Sequence, residues 1–124
     1  MYNSGYKKAK FLYQRAMILS EGLPFEKIKF IYFSFRNCLR NAGDKIELIN
    51  LQETMLKKQF DTSIVKDLIK NYKKYGDYPK AIKWYKKAIS KGHEQFTIKF
   101  AKFYEDMGSL NDAERYFKLA VEKI

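Results

Sequence analysis

The chain has 124 residues, the size of a single domain at roughly 100–200 residues per domain. Apolar residues make up 46% and aromatics 17%, which fills a core and excludes a disordered tail. Twenty-five Lys and Arg against 14 Asp and Glu give a net charge of +11, which directs attention to anionic partners.

In chain order, residues 5–20 read as a helix with Tyr6, Ala9, Tyr13 and Ala16 on one face, the 3–4 residue spacing of an amphipathic stripe. Gly22-Leu23-Pro24 breaks it, and a second helix covers 25–42, carrying the apolar run Phe30 to Phe35. Of that run, Phe30, Ile31, Tyr32, Phe33 and Phe35 are expected in the core, with Phe30 and Phe33 also placed at the apolar end of a binding groove. After Gly43, the segment Asp44-Lys45-Ile46-Glu47 is a capping-box-like start for a helix over 44–58, with Leu48, Leu51 and Met55 inward. A helix over 62–75 buries Leu68 and Tyr72 and stops at Gly76, a residue suited to the left-handed C′ conformation. Pro79 opens the next helix, 79–91, where its missing N–H costs little; Ala81, Tyr85 and Ala88 share its inner face. Two further helices occupy 94–107 and the remainder of the chain.

Residues 68–88 superimpose on 100–120 at a shift of 32. Leu68, Tyr72, Gly76, Ala81, Trp84, Tyr85 and Ala88 map onto Phe100, Tyr104, Gly108, Ala113, Tyr116, Phe117 and Ala120, and a repeat of that length marks a stacked helical array. The run YKKYGDYPKAIKWYKKAI, Tyr72 to Ile89, resembles a tetratricopeptide repeat, and FAKFYEDMGSLNDAERYFKLAV, Phe100 to Val121, is similar to the same pattern. KWYKKAISKGH, Lys83 to His93, also resembles Sel1-like repeats, although the short turn Gly76-Asp77-Tyr78-Pro79 fits the tetratricopeptide type better. The resemblance implies an all-α, right-handed α–α superhelix of about seven antiparallel helices over residues 1–124. Its parts would be a half repeat at 5–20, a degenerate repeat at 25–58, and clear repeats at 62–91 and 94–124.

Chemistry-bearing residues are sparse. The single Cys38 excludes an intrachain disulfide, and no Cys/His spacing suggests zinc. The sole His93 sits in a turn, and glycines fall singly at helix ends instead of clustering around a phosphate. Neither an enzyme nor a bound metal or cofactor is expected. Lys7, Lys8, Lys10 and Arg15 occupy the place of a signal sequence's apolar core. The longest apolar run is far below the roughly 20 residues of a spanning helix. The expected setting is cytoplasmic, without membrane insertion.

The expected activity is protein binding in a concave groove lined by the first helix of each pair. On 62–75, Lys66, Lys70 and Lys73 recur at i, i+4 and i+7. Matching Gly43 to Gly76 gives Phe33, Asn37 and Arg40 on 25–42, and the third repeat contributes Ile98, Lys102 and Glu105. An acidic or amphipathic segment of a partner protein complements that surface through charge-assisted hydrogen bonds and aromatic burial. Related clamps hold a C-terminal carboxylate with Lys, Asn and Arg; this chain keeps Asn37 but has Phe33, Asp67 and Gln95 at the other clamp places. An alternative is sequence-tolerant nucleic-acid binding by Lys80, Lys83, Lys86 and Lys87 among aromatic rings. The charge also has a compositional source: 21 of the 25 basic residues are Lys, in an Ile-, Asn-, Tyr- and Phe-rich chain of the kind an A+T-rich, bacterial-like genome encodes. Because the array starts mid-repeat and its last helix carries Phe117, Leu119, Ala120 and Val121, self-association through the terminal repeats is a further expectation.

Overall fold

The computed structural model describes residues 2–123, and its described residues form seven α-helices and no strand. They are α1 (Ser4–Leu19), α2 (Phe25–Ala42), α3 (Lys45–Lys58), α4 (Thr62–Lys74), α5 (Tyr78–Ser90), α6 (Gln95–Asp106) and α7 (Leu110–Glu122). Every helix expected from the sequence is present, with ends within two residues of the expected ones; Met1 and Ile124, included in the expected repeat limits, lie outside the described residues. No helix among them is long and apolar enough to cross a membrane.

The helix ends follow from local chemistry. Gly43, Gly76, Gly92 and Gly108 all have positive φ, and each begins the same stop. At Gly76 the Asp77 N–H reaches back to the Tyr72 carbonyl at 2.8 Å, and at Gly108 the Ser109 N–H reaches the Tyr104 carbonyl at 2.9 Å. These satisfy carbonyls that the helix would otherwise orphan. Asp44 and Asp77 then turn their carboxylates onto the N–H groups of Glu47 and Lys80 to open α3 and α5. Asp61 does the same for α4 through the Ile64 N–H at 3.0 Å. A Cβ at position 76 would meet nothing within 4 Å, so the φ of 79° is the constraint there. Gly76→Ala is accordingly expected to cost about 1–2 kcal/mol, the penalty of a left-handed L-residue, measured as a lowered denaturant midpoint with an unchanged m-value.

The chain divides into two compact units, one up to Ile64 and one from Val65 onward. In the first, α2 packs against α1 and α3. Ile28, Tyr32, Phe35 and Leu39 of α2 are buried, as are Leu48, Leu51 and Met55 of α3. The fully buried Gln52 amide donates to the Tyr32 hydroxyl at 3.2 Å, so the one amide in that core has a partner. α1 joins by its half-buried face: Tyr13 stacks on Phe35 with centroids 5.3 Å apart, and Lys10 pairs with Asp44 at 3.4 Å. The Tyr6 hydroxyl donates to Asp44. Burial, and then that carboxylate, raise the Tyr6 pKa above the usual tyrosine range. The expected core of α2 is corrected in part. Tyr32 and Phe35 are buried, Ile31 and Phe33 are half-buried, and Phe30 is 77% exposed. One face of α2 is fully used by α1 and α3, and Phe30 lies off it.

In the second unit α6 packs against α5 and α7. Phe100 is fully buried, with Tyr85, Tyr104 and Tyr116 rings at 4.9, 4.6 and 4.5 Å. Residues equivalent at the 32-residue shift share their roles: Leu68 and Phe100, Tyr72 and Tyr104, Ala81 and Ala113, and Ala88 and Ala120 are all buried. One pair differs. Tyr85 is buried between α5 and α6, whereas its counterpart Phe117 on α7 is half-exposed.

Candidate functional site

Within the second unit, α4, α5 and α6 enclose a hollow of about 220 Å³ lined by Lys66, Ile69, Lys70, Lys73, Tyr85, Phe96 and Lys99. Its floor is apolar, because Ile69, Tyr85 and Phe96 are buried core residues whose edges reach the opening. Its wall is cationic. Lys66, Lys70 and Lys73 stand on one ridge of α4, as their i, i+4, i+7 spacing dictates, and Lys99 rises opposite them from α6. Burial, and then the charges of Lys66 and Lys73, push the Lys99 ammonium below the usual lysine pKa. The Lys73 ammonium lies 5.8 Å from the centre of the Phe103 ring, a cation–π contact that holds the stem of the side chain against α6.

A lowered lysine pKa has two consequences. At a given pH Lys99 carries more free amine than an ordinary surface lysine. Folding stability also rises with pH across the interval between the lowered value and the ordinary one, because the unfolded chain binds the extra proton there. Lys99 is expected to acylate faster than the exposed Lys86 at mildly alkaline pH. The double variant Lys66→Gln/Lys73→Gln should narrow that difference by the part the two charges contribute and leave the larger part that burial causes, as read by peptide mapping.

The other sequence-derived contact residues have different placements. Lys102 is exposed on α6 and does not line the hollow. Phe33, Asn37 and Arg40 belong to the first unit. Phe33 is half-buried beneath Lys29 Nζ at 5.6 Å and the Arg36 guanidinium at 5.0 Å. The exposed Asn37 accepts from Arg36 Nη2 at 3.0 Å, and Arg40 is exposed. Lys29 also donates to Asp61 at 2.6 Å. Burial works against ionisation of Asp61, but the hydrogen bonds from Lys29, Ser63 and the Ile64 N–H outweigh it and hold the carboxyl below its usual range. Lys99 is not among the contact residues expected from the sequence. Matching repeats by their glycines picks out the crest of α6 at Ile98 and Lys102, whereas the residue that meets the α4 ridge stands on the flank beside Phe96. Lys99 follows Phe96 by three positions, which is the signal that locates it.

The residues with catalytic potential are dispersed. Cys38 is half-buried, and burial raises its thiol pKa, which disfavours the reactive thiolate. His93 lies in the α5–α6 connection, its N–H on the Ala88 carbonyl at 3.1 Å. Among the described residues no group of three or more His, Cys, Asp or Glu could hold a metal ion. No protein-family model matches the chain, and no curated protein matches it in sequence.

Proposed function

We propose that the chain is a tetratricopeptide-like module, a right-handed superhelix of helix pairs, that acts as a non-enzymatic adaptor by binding an acidic segment of another protein. The observation that carries this reading is the convergence of Lys66, Lys70, Lys73 and Lys99 on a hollow floored by Ile69, Tyr85 and Phe96. Lys99, whose protonation is already disfavoured by burial and by the charges of Lys66 and Lys73, gains most from a carboxylate-bearing ligand. The apolar floor gives one aromatic or aliphatic anchor a place to bury. The recurrence of the same glycine stop and the same buried positions in α4–α5 and α6–α7 supports the repeat assignment.

Nucleic-acid binding by α5 is the weaker reading. Lys80, Lys83, Lys86 and Lys87 are exposed there, but Lys87 Nζ lies 4.8 Å from the centre of the Trp84 ring and occupies a face on which a base would stack. Calorimetric titration of the chain with an Asp/Glu-rich peptide bearing one Phe, and separately with a single-stranded oligonucleotide, separates the two. The proposal expects saturable binding of the peptide that weakens when the Phe is replaced by Ser. Heat from the oligonucleotide alone would contradict it.

A further inference from the structure

Among the described residues, α1 and α7 each present one long exposed face with large apolar side chains, and the two faces are complementary in charge. α1 packs through Tyr6, Ala9, Tyr13 and Ala16; the opposite side presents Phe11, 57% exposed, and Leu12, 66% exposed, between Lys7 and Lys8. These four residues line a hollow of about 420 Å³, and Arg15, Ile18 and Leu19 continue the same exposed face. On α7, Ala113 and Ala120 turn inward, while Leu110, Phe117 and Val121 lie at i, i+7 and i+11 along the outer side. Leu110 and Val121 are 67% and 68% exposed. They form, with Ala113, an apolar groove of about 570 Å³. Its rim is acidic: Glu105, Glu114 and Glu122, against the single Lys118, which pairs with Glu114 at 3.0 Å.

An apolar stripe flanked by Lys7, Lys8 and Arg15 therefore matches an apolar groove flanked by Glu105, Glu114 and Glu122 in apolar character and in charge. A helix laid along a groove in this way is a common mode of recognition. We propose that the α7 groove is a docking site for α1 of a second copy of this chain. Each copy carries both patches, so two copies that dock reciprocally close as a dimer, and a copy that docks only its α1 leaves its own α7 groove open to a further copy. Phe11 and Leu12 supply the buried area, and the charged rims set orientation and register.

Sedimentation equilibrium of the full chain over a range of concentrations tests this. The mass is expected to rise from the 14.8 kDa of one chain to roughly twofold or more, and to fall back as salt screens the rims. Lys7→Glu/Lys8→Glu and Glu105→Lys/Glu122→Lys should each be monomeric and fully helical by circular dichroism. An equimolar mixture of the two variants should associate again, because each then offers the other a complementary pair of faces. A single-chain mass at all concentrations would overturn the proposal. So would a dimer that survives both charge reversals, or variants that fail to associate when mixed. None of these residues lines the lysine hollow, so the peptide-binding result is independent of this one.

Discussion

Phe100→Ala is expected to lower the stability of the second unit by about 3–5 kcal/mol, the range for removing a fully buried aromatic ring. Phe100 is 0% exposed, and its neighbours are themselves rings, Tyr85, Tyr104 and Tyr116, all within 5 Å centroid to centroid. Rings packed this way gain edge and offset contacts beyond their area, and three rigid side chains cannot collapse into the space that one leaves. Tyr85 and Tyr104 hold phenols whose pKa values are raised, first by burial and then by Asp106 and Asp112 respectively. A cavity that admits water would bring them back toward ordinary values. Urea denaturation followed by Trp84 fluorescence reads the loss, and alkaline titration of the tyrosine absorbance reads the relaxation. A loss below 1 kcal/mol would contradict the packing described for this core.

The second large effect belongs to the lysine hollow. Lys66→Glu/Lys70→Glu/Lys73→Glu should reduce affinity for an acidic peptide by roughly 100-fold or more, since charge-assisted hydrogen bonds contribute about 1.5–3 kcal/mol each. Lys66 and Lys70 are exposed and Lys73 is half-buried, so the helical circular dichroism should persist. Lys99→Glu makes a sharper distinction. It places a carboxylate opposite three ammonium groups, replacing repulsion by attraction, and so should raise the melting temperature while it weakens peptide binding by occupying the site from within. A variant that loses binding only together with its fold would refute the assignment.

How far the sequence discloses this molecule depends on the range of the interactions involved. Helix ends are local: Gly43 and Gly76 with their following Asp residues, and Pro79 inside α5, place their boundaries from neighbouring residues alone. The inner faces of α5 and α7 are legible where Ala81 and Ala88 recur as Ala113 and Ala120, whereas Phe117, the counterpart of the buried Tyr85, is half-exposed and lines the outer groove of α7. Exposure is less local. Phe30 is as apolar as Phe35, but only the latter meets Tyr13 of α1, a contact that periodicity within α2 does not specify. The site was half legible for the same reason. Lys66, Lys70 and Lys73 share one helix and one ridge, which spacing reveals. Lys99 joins them from a different helix, across the hollow, a juxtaposition that spacing within α6 does not specify; matching by glycines points to Lys102 instead.

In the proposed complex, an acidic ligand is held by α4 and α6 over the floor of the hollow. Amide and lysine-side-chain NMR spectra recorded during titration with the Phe-bearing acidic peptide test it most directly. Shifts are expected to concentrate at Lys66, Ile69, Lys70, Lys73, Tyr85, Phe96 and Lys99, with the Lys99 ammonium pKa moving upward on binding as the added negative charge offsets its neighbours. Shifts confined to Lys80, Lys83, Lys86 and Lys87 on α5, or a Lys99 pKa that does not move at saturation, would contradict it.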